Sequence, residues 1–182
     1  RDIFHIHRDT LSLAQAHQGI GILYSLEQNY SASLPEYKLA LTHYLSQPES
    51  RQDHIARLLH NMGNDHTALK EMDEAEEYYQ RALHIYEDLN EGQGQAQIWR
   101  ELSEVSFQKQ TWDESLERAI KSVILFEQIQ YQEAFDEGDE HIVNILERSE
   151  SMLEDSILKS LSKVSMGSFQ HWLSAYIDHK RK

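Results

Sequence analysis

Two stretches of this chain repeat each other. Residues 56–89, ARLLHNMGNDHTALKEMDEAEEYYQRALHIYEDL, align with 96–129, AQIWRELSEVSFQKQTWDESLERAIKSVILFEQI, at a shift of 40. Ala56 meets Ala96, Gly63 meets Ser103, Met72 meets Trp112, and Asp73-Glu74 meets Asp113-Glu114. Upstream, a shift of 42 sets Gly21 on Gly63, Tyr37 on Tyr79, Ala40 on Ala82 and Tyr44 on Tyr86. A period of this size marks a chain built from stacked supersecondary units, none of which can bury its apolar face alone.

Within a copy, Ala75, Tyr78, Tyr79, Ala82, Leu83 and Tyr86 fall at i, i+3, i+4, i+7, i+8 and i+11, one face of a helix. Seven Gly and two Pro in 182 residues leave too little turn chemistry for an all-β sandwich or barrel. Each copy therefore reads as two helices and a tight turn. Asp73 and Asp113 are expected as N-caps, Glu76 completing an acidic capping box after Asp73. Pro35 is expected to delay the second helix of the first copy to about Ser33, and Asn90 to Gly94 to form a linker. Small residues at Gly21, Gly63 and Ser103, and at Ala40, Ala82 and Ser122, let paired axes approach closely.

With Asn61-Met62-Gly63, then Ala75, Tyr79 and Ala82-Leu83, the chain resembles the tetratricopeptide repeat family, in a longer-period form of about 40 residues. The resemblance covers about residues 14–129, in copies at about 14–47, 56–89 and 96–129. It implies an all-α solenoid of antiparallel helix-turn-helix repeats. The family usually has Gly or a turn residue before the second helix, where this chain has Lys70-Glu71.

The period fails after residue 130. Glu133 to Glu140 holds five acids around Gly138 and reads as a loop, and an amphipathic pattern resumes at Ile142. Terminal repeats must cover the open end of a stack, so 1–130 is expected to be the repeat array and 131–182 an acidic loop with capping helices. Phe169, Trp172, Leu173 and Tyr176 form one apolar stripe there. Capping predicts a monomer, whereas a stripe mated through Phe169, Trp172 and Tyr176 would make a dimer.

The formal charge of −14 argues against nucleic acid or an anionic membrane as partner. No apolar run approaches the roughly 20 residues that span a bilayer, and the plain reading is a soluble cytoplasmic protein. A start at Arg1 and the end His179 to Lys182 suggest a part excised from something longer. With no cysteine, thiolate zinc sites and cysteine nucleophiles are excluded. His5 and His7 would point about 200° apart on a helix, and no two of the eleven histidines have the i, i+4 spacing of a helical zinc site, so no metal is expected. There is no G-x-S-x-G and no phosphate-binding loop, and consecutive acids such as Glu71 to Glu77 read as a solvated face. No cofactor and no catalysis are expected.

The resemblance further implies a concave groove lined by the first helix of each copy. Its expected residues are Gln15, Gln18, Ile22, Ser25 and Leu26 in the first copy. The second supplies Arg57, His60, Asn61, Asn64, Thr67 and Ala68, and the third Gln97, Arg100, Glu104, Phe107 and Gln108. A carboxylate-gripping set known in the family finds only Asn61 matched; Gln18, Ile22, Gln97 and Glu101 do not fit it. The expected function is a non-catalytic scaffold or adaptor holding a peptide or helix of a partner protein. The alternative is a structural module for self-association or for docking within a larger protein.

Overall fold

The computed structural model describes residues 2–46, 51–129, 141, 142, 144 and 145. Among them every regular element is a helix. The helices are α1 (Asp2–Leu26), α2 (Tyr30–Leu45), α3 (Gln52–Ala68), α4 (Met72–Asp88), α5 (Gly92–Gln108) and α6 (Trp112–Gln128). The bounds of α3 and α4 recur 40 residues later in α5 and α6. The chain forms two compact units, 1–94 and 95–182.

The four turns that follow α1, α3, α4 and α5 are closed in the same way. After α3, the Lys70 N–H donates to Thr67 O and the Glu71 N–H to His66 O, with Lys70 at φ 65°. Gln28, Asn90 and Gln110 repeat this geometry at φ 59°, 53° and 61°. This is the Schellman closure, which satisfies the last carbonyls of a helix by putting one residue in the left-handed region. The family's glycine is dispensable here because the two hydrogen bonds hold Lys70 in that conformation.

Three local expectations are corrected. The cap position of α4 is Glu71, which makes no side-chain cap bond, and Asp73 lies inside the first turn. There Asp73 and Glu74 favour the helix through its dipole instead. Pro35 does not delay α2, which starts at Tyr30 and carries Pro35 within it. Pro35 cannot donate to the Ser31 carbonyl, but it is exposed, so water can serve that group. Gly92 and Gly94 belong to α5 and not to a linker. A Cβ on Gly94 would stand 2.6 Å from the Tyr86 ring, so the close approach excludes a side chain.

In the first unit α1 packs along α2, α3 along α4, and α3 also meets α2. Glycine and tyrosine interlock at both hairpins. A Cβ on Gly21 would stand 2.5 Å from the Tyr37 ring, and one on Gly63 2.5 Å from Tyr79. Tyr37, Ala40, Tyr44, Ala56, Leu58, Leu59, Met62, Ala75, Tyr79 and Ala82 are buried around them.

The second unit solves the same crossing with hydroxyls. Ser103 Oγ donates to Ser115 O (2.6 Å) and Ser115 Oγ to Ser103 O (2.8 Å). Ser122 Oγ donates to Ala96 O (2.8 Å). Buried Arg118 donates to Leu102 O (3.1 Å) and Ser106 Oγ (2.8 Å) and pairs with Glu114. Ile142 and Ile145, both helical, are fully buried. The expected acidic loop, the remainder of the capping helices and the stripe of Phe169, Trp172 and Tyr176 lie outside the described residues.

Candidate functional site

On α3, Arg57, Asn61, Asn64 and Ala68 fall at i, i+4, i+7 and i+11 and make one stripe. Arg57 is exposed and held over the helix surface by Asp53 (3.3 Å) and His54 (3.3 Å). His60 stands off the stripe, its ring edge-on to Tyr79 at 6.0 Å between centroids. The stripe is rooted in the hairpin: Tyr79 Oη donates to Asn64 Oδ1 (2.7 Å), and Tyr79 is fixed by its contact with Gly63.

The shift of 42 carries Asn64 and Ala68 back onto Ile22 and Leu26 of α1. All four line one open cavity of about 390 Å³ within the first unit, inside the range of about 300–1,000 Å³ usual for ligand pockets. Ile22 and Leu26 form an apolar side, Leu26 being 75% exposed. Tyr30 and Tyr37 of α2 and Ser25, Asn61 and Asp65 complete it. Among the described residues that line it, none is basic.

Asp65 is the unusual member. It is 3% exposed and takes hydrogen bonds from Ser25 Oγ (2.8 Å) and Ser33 Oγ, both on Oδ2. Ser25 Oγ is also 3.0 Å from Tyr37 Oη. Burial pushes the Asp65 carboxyl above its ordinary value, opposed by the hydrogen bonds from Ser33 and Ser25. An acid with a raised folded-state value binds its proton more tightly folded than unfolded. Its charge therefore destabilises the fold at pH above the raised value, and the penalty disappears as pH falls through that value to below the unfolded one. Asp65→Asn keeps an acceptor for both serines and removes the charge. Urea unfolding of this variant at pH 7 is expected to show a gain in stability over the parent that shrinks steadily towards pH 4; an unchanged difference across that range refutes the assignment.

In the second unit the expected residues lie on α5. Gln97, Glu101, Glu104 and Gln108 repeat the stripe of Arg57, Asn61, Asn64 and Ala68 at a shift of 40. Arg100 lies 3.6 Å from Glu101, whose carboxyl burial raises and Arg100 lowers. Glu104 accepts from Gln108 (2.6 Å) and faces His141 at 3.8 Å. Phe107 packs edge-on against Trp112 (5.3 Å) and in a tilted arrangement against His141 (6.0 Å). Two of the five expected groove residues on α5, Glu104 and Phe107, are thus engaged by His141 of their own unit.

Ser103, His141 and Glu104 line up in the order of a nucleophile, base and orienting acid, with Ser103 Oγ 3.0 Å from His141 Nε2. The geometry is that of packing. Ser103 has no exposed surface, and its hydroxyl proton is donated to Ser115 O, whereas a nucleophile has to reach a substrate. Other histidines serve inside the fold: His17 pairs with Glu36 (2.7 Å), His66 with Glu71 (2.6 Å), and His54 stacks on Tyr44. Among the described residues no group of three or more His, Asp or Glu could hold a metal ion, and no helix is long and apolar enough to cross a membrane.

Asn61 and Asn64 were named through the family resemblance, and both line the cavity. Asp65, Tyr30 and Tyr37 were not read as site residues. The available signal was an acid in an apolar register, since Asp65 stands where the first copy has Leu23 and the third Val105.

A profile of the tetratricopeptide repeat matches residues 12–88 and, overlapping, 54–123. The crystal structure of BtubC (BKLC) from P. vanneervenii is similar in fold, with a TM-score of 0.59 and 14% identity, over 98% of this chain and 82% of that one. No curated protein matches the chain.

Proposed function

As the chain belongs to the tetratricopeptide repeat family, whose repeats generally mediate protein–protein interaction, we propose that it is a non-catalytic, cytoplasmic and monomeric scaffold. It holds a peptide or helix of a partner protein against its first helices. The observation that carries this reading is the cavity on the α1–α2–α3 side of the first unit. There repeat-equivalent positions of two first helices, Ile22 and Leu26 with Asn64 and Ala68, present apolar and amide groups together. All four side chains are exposed and so can cradle a bound segment; Asn64 alone is tied to the hairpin, through the Tyr79 hydroxyl.

The test is a pull-down from lysate with the parent and with Arg57→Ala, Asn64→Ala and Arg100→Ala combined. The triple variant is expected to keep the parent's circular dichroism and solution mass of one 21.4 kDa chain while losing captured partners at least tenfold. Arg57→Ala alone should change stability by no more than about 0.5 kcal/mol. Undiminished capture by the triple variant, or a mass of two chains, turns the reading towards a self-association module.

A further inference from the structure

We propose that the cavity of the first unit receives an arginine side chain of the partner, with the Asp65 carboxylate as its counter-charge. The inference rests on the groove reading above and names the chemistry of that site.

Four observations point the same way. Among the described residues that line the cavity there is one carboxylate and no basic group, so a bound cation meets no competing charge from them. Asp65 is almost wholly shielded from water, where the attraction between opposite charges is least screened. Tyr30, half-buried, lines the same space, and a guanidinium is the cation best suited to lie over an aromatic ring. The amides of Asn61 and Asn64 and the hydroxyl of Ser25 offer further acceptors for a group that carries five N–H donors and no acceptor. The chain's charge of −14 would draw a basic segment in from a distance.

The position of Asp65 adds weight. At the equivalent place in the third copy a fully buried Val105 serves, so burial at this position does not by itself call for an acid. Asp65 binds Ser25 and Ser33 of the preceding hairpin, and both bonds fall on Oδ2; a buried carboxylate that also lines a cleft is the kind of group that concentrates at binding sites.

The probes are n-propylguanidinium and its neutral isostere n-propylurea, titrated into the whole chain at pH 7. The readout is the side-chain amide NMR signals of Asn61 and Asn64. The guanidinium is expected to shift both signals saturably, the urea to bind at least tenfold more weakly, and Asp65→Asn to abolish the difference. Equal response to the two probes, no response, or a preference that survives Asp65→Asn overturns the proposal. A partner captured in the pull-down separates this failure from failure of the groove reading. If its binding is lost in the triple variant but unaffected by Asp65→Asn, the groove stands and the arginine pocket falls. If both variants bind it fully, the groove itself falls.

Discussion

Gly63→Ala is expected to destabilise the protein in the presence of Tyr79 and to stabilise it in its absence. With the tyrosine in place, the new Cβ would lie 2.5 Å from the ring, and overpacking of this kind costs about 1–3 kcal/mol. The gain of roughly 1 kcal/mol from replacing a mid-helix glycine is too small to offset the upper part of that range. Tyr79→Ala alone should cost about 3–5 kcal/mol, as for other large aromatic truncations in a core. It also strands Asn64 without its Tyr79 hydroxyl bond. In the Tyr79→Ala background the clash is gone, and Gly63→Ala should add stability. The third copy already contains such a pair, Ser103 with Ala119 at the corresponding positions. Urea denaturation of the four proteins checks this, and additive effects would show that ring and glycine are not coupled.

Met62→Ala should cost about 2–5 kcal/mol, whereas Ile20→Ala, at the same place in the repeat, should change stability by about 0.5 kcal/mol or less. Met62 has no exposed surface, while Ile20 is 41% exposed. Both stand on a first helix, in a stripe that runs through Leu13, Ile20 and Leu23 on α1 and through Ile55, Met62 and Asp65 on α3. The stripe on α3 is closed by the hairpin before it, with Ser25 and Ser33 bonded to Asp65. The stripe on α1 faces solvent, Leu23 being 61% exposed. Thermal melts of the two variants decide the matter, and comparable losses would contradict the packing order.

The periodicity alone determined that the chain is a row of helical hairpins and which residues face inward. Ala75, Tyr79, Ala82 and Tyr86 were read as one face, and all four are buried. That much is local: spacing on a helix decides the face, and the small residues at Gly63 and Ala82 decide where axes can meet. Helix limits were less legible. Asp73 looked like a cap, but the Schellman closure that ends α3 makes Glu71 the cap position. That closure depends on hydrogen bonds across the turn and on a left-handed Lys70, which no propensity for lysine announces.

The site divides along the same line. Asn61 and Asn64 followed from the groove positions that the family resemblance implies once the repeat register is fixed, because both lie on one helix. Asp65, Tyr30 and Tyr37 come from α3 and α2, and only the packing of α3 against the preceding hairpin sets them around one cavity. Likewise, Phe107 and Glu104 were read as free groove residues, yet His141, more than thirty positions away, faces both. Contacts between helices distant in sequence depend on crossing geometry that a one-dimensional period does not encode. The hairpins were therefore determined by the sequence, and the cavity with its buried carboxylate by the tertiary structure.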